Sequence, residues 1–195
     1  MFKKMLPVLL SIVFAAMAVQ AQTWLIDKPH SSLGFSVRHM VISKTTGKFS
    51  DFDGTLNFDG KNIAAGSVTV TAQMASVDTD DSKRDEHLRS ADFFDVEKFP
   101  TMRFESKRVV PGEGNDFKLI GDLTIKGVTK EVTFDGEFNG VVEDPRGNTR
   151  AGFSAKTTID RQEFDITWNN TLDAGGLVVG DDVDIQVEME FVQQQ

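Results

Sequence analysis

The sequence of 195 residues has no cysteine and no tyrosine, and it has three histidines and five prolines. Without cysteine the protein has no disulfide, no cysteine nucleophile and no cysteine-linked lipid anchor. The histidines, His30, His39 and His87, do not have the spacing of a zinc-binding helix motif. The sequence therefore predicts no metal site.

Motifs of the common enzyme classes are also missing. The chain has no Gly-x-Ser-x-Gly element and no glycine-rich phosphate-binding loop. Its most acidic stretch, from Asp78, fails as an EF-hand, because Lys83 and Arg89 occupy the places that need glycine and glutamate. We predict no catalytic residue and no cofactor, and we expect that the protein is not an enzyme.

Long hydrophobic runs are limited to one, over residues 6–19, which follows Lys3 and Lys4. Small residues at Val19 and Ala21 then suit signal-peptide cleavage after Ala21. The run is shorter than the ~20 residues that span a bilayer. We therefore predict a signal peptide over residues 1–21 and a single mature domain over residues 22–195, with no stable membrane insertion.

Positive charge is scarce in the mature chain. Removal of the predicted leader, which carries two lysines and no acid, changes the formal net charge from −9 to −11. This balance argues against binding to nucleic acid and against purely electrostatic docking on anionic lipid. It fits a soluble exported protein.

What the sequence does contain is alternation of apolar and polar residues with a period of two. The clearest examples are residues 52–58, 117–125, 132–138, 153–160 and 183–191. Turn residues such as Lys126-Gly127 separate these runs, so the strands are expected to pair antiparallel. The pattern predicts an all-β fold of about eight strands closed into a barrel, with a β-sandwich as the alternative.

Two longer connections interrupt the strands, at residues 76–99 and 161–180. The first contains Ser82, which we expect to start a short helix through its hydroxyl, and it ends near Pro100. Both connections are unusually apolar for loops. We expect residues 84–94 and 161–180 to meet over one end of the barrel and to gate it, with Gly175-Gly176 as a hinge.

The apolar faces of the strands either fill a core or line a cavity. Small residues at inward positions favour a cavity, because they would leave space along the barrel: Gly54, Ala72, Gly121, Gly136 and Ala155. His39 follows Phe35 and Val37 on the same face. It is either a core histidine bonded to a carbonyl or a polar contact inside a cavity.

Four stretches of the chain resemble the signatures of the YceI-like family, in the order of that family. They are DKPHSSLGFSVRHMVISKTTGKFSDFDGTL, DSKRDEHLRSADFFDVEKFPTMRFES, GDLTIKGVTKEV and GFSAKTTIDRQEFDI. The most specific is the run RDEHL followed by paired phenylalanines. The resemblance covers nearly all of residues 23–192.

The resemblance implies an eight-stranded, lipocalin-like antiparallel barrel with an elongated apolar cavity and short helical lid segments. It further implies a periplasmic protein that binds polyisoprenoids, such as isoprenoid quinones or prenyl pyrophosphates, or another long-chain, fatty-acid-like amphiphile. The alternatives are a stress-linked structural or binding protein with a filled barrel, and an enzyme acting on such a lipid. The oligomeric state is open, and a homodimer is one alternative.

Strand alternation and the resemblance together indicate two groups of ligand-binding residues. The cavity residues are expected to be Phe35, Val37, His39, Leu56, Phe58, Val68, Val70, Met74, Phe104, Leu123, Phe134, Phe153 and Trp168. At the mouth we expect Arg84, His87, Arg89, Phe93 and Phe94, where the arginines either meet a head group or pair with Asp85, Glu86 or Asp92.

Overall fold

The computed structural model describes residues 21–171 and 177–194, and the predicted signal peptide and the predicted glycine hinge lie outside this range, apart from Ala21. In this part of the chain the structure is an eleven-stranded antiparallel sheet. The strands are β1 (Gln22–Ile26), β2 (Ser32–His39), β3 (Ser43–Phe49), β4 (Phe52–Phe58), β5 (Ser67–Gln73), β6 (Val77–Asp78), β7 (Thr101–Pro111), β8 (Asp116–Ile125), β9 (Val128–Glu143), β10 (Thr149–Asp160) and β11 (Val179–Gln193).

Helical structure in the described residues is short. It consists of one α-helix, α1 (Ser82–Arg89), and four 3-10 turns at Lys28–His30, Ile63–Ala65, Met74–Ser76 and Arg161–Phe164. None of these helices has the length and apolar character that crossing a membrane requires.

The sheet closes into a barrel because β1 pairs with both β4 and β11. The closed ring has eight strands, in the order β1, β4, β5, β7, β8, β9, β10 and β11. Strand β2 continues along β11 beyond β1, and β3 and β6 extend the sheet from β2. The predicted eight-stranded barrel is confirmed, and the sandwich alternative is wrong because the ring has no open edge between β1 and β11.

The alternation in sequence becomes the inside and outside of the barrel. Leu56, Phe58, Phe104 and Leu123 are all buried, while their neighbours along the strands are exposed or partly exposed. Register is set locally by tight turns. Lys126 and Gly127 both have positive φ, 50° and 77°, and they join β8 to β9 with Ile125 paired to Val128. This is the predicted hairpin.

The inward glycines do not leave empty space. A Cβ atom added at Gly121 would lie 2.6 Å from Phe104 Cζ, and one at Gly136 would lie 2.5 Å from Phe117 Cζ. Aromatic rings from neighbouring strands therefore lie over these glycines. The expectation that they create room is wrong, whereas Ala72 and Ala155 do line a cavity.

Gly121→Ala is expected to lower the free energy of unfolding by about 1–3 kcal/mol, the usual cost of overpacking. Its new Cβ would also lie 2.4 Å from the carbonyl oxygen of Glu105, which cannot rotate away. Urea denaturation measures the change. Gly152→Ala is the matched control, because its nearest neighbour is Asn139 Cβ at 3.3 Å, and we expect it to be neutral or slightly stabilising. Equal effects at both sites would contradict the packing argument.

Charges tie the strand ends together at the β9–β10 connection. Arg150 donates hydrogen bonds to Asp27, Glu190 and Asp144, with Nε 2.8 Å from Asp144 Oδ2. His30 Nδ1 lies 3.0 Å from Asp27 Oδ2. The carboxylates of Asp27 and Glu190 lie near enough to His30 for a metal ion, but the Arg150 guanidinium already occupies their acceptors.

The Arg150 network predicts acid sensitivity. The hydrogen bond from Arg150 holds the pKa of Asp27 below its usual value, and hydrogen bonds from Asn148 and Arg150 lower the pKa of Asp144 strongly. Since both pKa values are lower in the folded state, the stabilisation is complete above about pH 4 and is lost as the pH falls further. Arg150→Met should reduce the loss of unfolding free energy below about pH 4, as measured by urea denaturation at a series of pH values. Arg146→Met, which replaces an exposed neighbouring arginine, should leave this pH dependence unchanged.

Candidate functional site

The larger of two internal apolar cavities has a volume of about 130 Å³ and lies inside the closed ring. It reaches the β4–β5 connection at Ile63 and Gly66. Eight of the predicted cavity residues line it: Leu56, Phe58, Val68, Val70, Phe104, Leu123, Phe134 and Phe153. Its wall is almost entirely carbon, as a site for a hydrocarbon chain requires.

The second cavity, of about 110 Å³, lies below helix α1. Phe35, Val37 and Met74 line it, as predicted for the cavity, and so do Phe93 and Phe94 from the segment after the helix. Leu88 adds a contact from the helix itself. The paired phenylalanines therefore form part of the cover of the barrel interior.

The two cavities share three lining residues, Leu33, Met102 and Ile185. All three side chains are buried, so they form a constriction between two parts of one apolar interior. Sequence reasoning missed this constriction, although Met102 lies two residues before Phe104 on the same face of β7. The alternation shows which way a side chain points, but not whether it separates two spaces.

The helix that covers the second cavity begins differently from the prediction. Its N-cap is Asp81, whose side chain accepts from the amides of Lys83 and Arg84, and Ser82 is already the first helical residue. A carboxylate is favoured at this position by the helix dipole as well as by the orphan amides. The predicted helix is confirmed, but its predicted cap is wrong.

The arginines of the helix bind the polypeptide backbone. Arg84 donates from Nε to Thr79 Oγ1 and from Nη2 to Thr79 O, both at 2.7 Å. Arg89 donates to the carbonyl oxygens of Ala75 at 2.8 Å and Val77 at 2.9 Å. Neither arginine lines a cavity or pairs with an acid among the described residues. The expected pairing with Asp85, Glu86 or Asp92 is therefore wrong, and the arginines fasten the lid to the strand before it.

Buried Asp85 belongs to the same attachment. Its Oδ1 accepts from the amide of Thr79 at 2.9 Å and from the Thr79 hydroxyl at 2.6 Å. Thr79 is buried. Its hydroxyl donates to the Asp85 carboxylate and accepts from the Arg84 guanidinium. Two polar side chains of the helix thus hold one residue of the β6–α1 connection.

We expect Arg84→Gln with Arg89→Gln to lower the melting temperature, because four hydrogen bonds from charged donors are lost or weakened. The cost should be about 1–3 kcal/mol, since Arg84 is exposed and Arg89 is partly exposed. Affinity for a long-chain ligand should fall only as far as the folded fraction falls. A normal melting temperature with a large loss of affinity would instead show that the arginines contact the ligand.

The two long connections meet over the helix end of the barrel, as expected. The Trp168 ring lies 4.8 Å from the His87 ring and 5.1 Å from the Phe93 ring, centroid to centroid. His87 Nε2 also lies 3.0 Å from Asp92 Oδ2. Trp168 itself does not line either cavity. The structure therefore does not place it on a cavity wall, as predicted, but against the Phe93 ring, which does line the second cavity.

His39 also lies outside both cavities. It is the last residue of β2, is partly exposed, and pairs with Ser43 and Val179. It shares the face of Phe35 and Val37, but unlike Phe35 and Val37 it lines neither cavity. The expected position of His39 inside the cavity is therefore not the one that the structure shows.

Arg161 is the structural residue that sequence reasoning did not single out. It is 4% exposed and follows β10 directly. Its guanidinium donates to five oxygens: Ile166 O at 2.6 Å, Gly180 O at 2.8 Å, Trp168 O at 3.0 Å, Asp181 Oδ1 at 3.1 Å and Val179 O at 3.4 Å. It also lines the second cavity with its apolar stem. One arginine therefore organises the described part of the second connection.

Comparison with known proteins identifies the family. The YceI-like domain matches residues 24–191. Protein YceI of Escherichia coli O17:K52:H18 is 41% identical over 187 residues, which cover 95% of this chain and 94% of that protein. The crystal structure of the Campylobacter jejuni YceI protein has 34% identity and a TM-score of 0.70, covering 87% of this chain and 96% of that one.

A more distant likeness concerns the fold alone. A polyisoprenoid-binding domain from Saccharophagus degradans is 14% identical, with a TM-score of 0.67, and it covers 90% of this chain and 100% of that domain. The family match spans the whole described barrel, including both cavities and the lid. The chain therefore belongs to the YceI-like family.

Proposed function

We propose that this protein is a carrier for a polyisoprenoid or a similar long-chain amphipathic lipid. The observation that supports this most strongly is the pair of apolar cavities, separated by three side chains along one barrel interior. The polyisoprenoid-binding character of the Saccharophagus degradans domain, which has the same fold, points to the same ligand class. Isoprenoid quinones and prenyl pyrophosphates are the ligands that this proposal names.

The ligand chain gains its binding energy from burial alone. Each buried CH₂ group contributes about 0.8 kcal/mol, so a chain of ten or more carbons needs no polar anchor inside. Every buried polar side-chain atom in the described residues already has a hydrogen-bond partner. The interior therefore presents no unsatisfied group that would penalise a hydrocarbon.

The cavity volumes set a condition on binding. Drug-sized ligands occupy pockets of about 300–1,000 Å³, and each cavity here is smaller. A long chain must therefore displace the constriction of Leu33, Met102 and Ile185 and join the two spaces. Met102 suits this role, because methionine is unbranched and adapts its shape readily.

In this proposal the phenylalanines of the lid move to admit the ligand, and its arginines hold the helix in place. Phe93 and Phe94 contact the second cavity and would move to admit the chain. Arg84 and Arg89 hold the helix to the preceding backbone while this happens. The rings of His87 and Trp168 pack against Phe93, and we propose that they form the edge of the entrance.

We also propose that the mature protein begins at Gln22 and works in the periplasm, on the strength of the predicted signal peptide. The small cavities favour one alternative, a structural or binding protein with a nearly filled barrel. Catalysis on the lipid has no observation in its favour.

Organic extraction of protein purified from periplasm, followed by mass spectrometry, tests the proposal. We expect to detect a prenyl lipid in the extract of this protein. The same extraction of an unrelated periplasmic protein should yield none. Delipidated protein should then take up an added octaprenyl lipid from dilute solution. Absence of co-purified lipid together with no uptake would favour the filled barrel, and chemical change of the lipid would indicate an enzyme.

A further inference from the structure

The β2–β3 hairpin ends in three consecutive apolar residues that point away from the protein. Met40, Val41 and Ile42 are 39%, 64% and 84% exposed. We call these three residues the apolar tip. Scattered single apolar residues are ordinary on a protein surface, but three in a row at a protruding turn are not.

The backbone of the apolar tip is unfavourable for the residues that form it. Met40 and Val41 have φ values of 52° and 66°, and the amide of Ile42 donates to His39 O at 3.2 Å to close the turn. Turns with two positive φ values strongly prefer Asn-Gly, and a β-branched residue is the least suited to this region. The sequence therefore places apolar side chains here at the expense of local stability, which is typical of a functional site.

The apolar tip adjoins residues that line the second cavity. The amide of Met40 donates to Val178 O at 2.9 Å, and the next residue, Val179, lines that cavity. Val37, from the same hairpin, lines it as well. Exposed Leu177 extends the apolar surface on the adjoining strand end.

The chain segment that carries the apolar tip differs in charge from the chain as a whole. The whole chain has a net charge of −9, yet residues 29–50 contain no aspartate or glutamate and carry Arg38, Lys44 and Lys48. Lys44 and Lys48 pair with acids from neighbouring strands, whereas Arg38 is exposed and has no acidic partner among the described residues. An exposed arginine beside an apolar tip offers a donor to the phosphate layer of a bilayer, next to the hydrocarbon layer that the tip would enter.

We infer that the apolar tip inserts into the surface of a lipid bilayer and brings the cavity mouth to the source of the ligand. This inference rests on the proposed function, because a lipid carrier must load from a membrane. A stable protein partner would need about 800 Å² on each side, and three side chains at a narrow turn supply much less. A bilayer accepts a small insertion of this kind, and the contact is reversible, as a carrier needs.

Vesicle flotation with the mature protein tests the inference. The probe is vesicles of phosphatidylcholine and phosphatidylglycerol, without prenyl lipid. Ile42→Ser should reduce the vesicle-bound fraction about tenfold, because one fully inserted apolar side chain is lost. The matched control is Val142→Ser. Val142 is as exposed as Val41 but lies on a different strand, near the C-terminal end of β9. This control should change binding by less than about twofold.

A second variant separates docking from stability. Met40→Asn with Val41→Gly supplies the residues that the turn prefers, so it should raise the melting temperature or leave it unchanged. The same variant should lose at least about tenfold in vesicle binding, because two apolar side chains are removed. A folding defect cannot produce this combination.

The outcomes are distinguishable from those of the proposed function. If the variants take up prenyl lipid from solution normally but no longer bind vesicles, the inference holds. If wild type does not bind vesicles, or if the tip variants bind as well as wild type, the inference is overturned, whatever the result of lipid uptake. Loss of concentration-dependent self-association in the tip variants, with vesicle binding intact, would assign the apolar tip to a second copy of the chain and would also overturn it.

Discussion

Arg161→Ala is expected to lower the free energy of unfolding by about 3–5 kcal/mol, among the largest effects of any single substitution in this protein. The substitution removes a buried guanidinium that is bonded to four backbone carbonyls and to Asp181. Carbonyls left without a donor each cost about 1–3 kcal/mol where water cannot reach them. Partial entry of water into the second cavity limits the total.

Matched controls make this prediction specific. Arg103→Ala removes an exposed arginine whose partner, Glu105, is also exposed, so the change should stay below about 0.5 kcal/mol. Arg161→Lys keeps the charge but cannot reach five acceptors in one plane, so it should recover only part of the loss. Urea denaturation at neutral pH measures all three. Recovery of full stability by lysine would contradict the role of the planar guanidinium.

The sequence is sufficient to predict the barrel because strand alternation records which face is dry. Phe58 and Leu123 are inward from their neighbours alone, and the Lys126-Gly127 turn fixes the register between β8 and β9. The pattern predicts about eight strands, and the resemblance to a family implies the same number. These signals depend only on residues that are close together in the sequence, so they can be recognised from the sequence alone.

The partners of Arg84, Arg89 and Arg161 were not predictable in the same way. For Arg84 and Arg89, acidic neighbours in sequence suggested ion pairs, but most of the acceptors of the three arginines are carbonyl oxygens. Every residue carries a carbonyl, so the sequence does not mark the ones that accept. The position of the connection in three dimensions decides, and that is a tertiary property.

The alternation of apolar and polar residues also does not predict whether the barrel is filled or hollow. Gly121 and Gly136 are small, yet the rings of Phe104 and Phe117 cover them. The residues that divide the interior, Leu33, Met102 and Ile185, have the same character as those that line it. Sequence pattern gives the chemistry of the wall, while the size of the space depends on rotamers and on packing between strands.

This division of the interior leads to the prediction with the largest effect on ligand binding. Met102→Trp is expected to close the constriction, so that a long prenyl chain can occupy one cavity but not both. Exclusion of about five carbons costs about 4 kcal/mol, close to a thousandfold in affinity. A ligand short enough to stay on one side of the constriction should lose far less.

The adjacent residue supplies the control. Arg103→Trp places the same ring on the same strand, but on the outer face, where Arg103 is exposed. It should leave the affinity for both chain lengths unchanged. Titration of each delipidated variant with prenyl lipids of increasing length measures the dependence on chain length. In wild type the affinity should rise with length past the constriction, and in Met102→Trp it should stop rising there. If both variants show the same rise, the chain does not pass Met102, and the two cavities do not form one binding site.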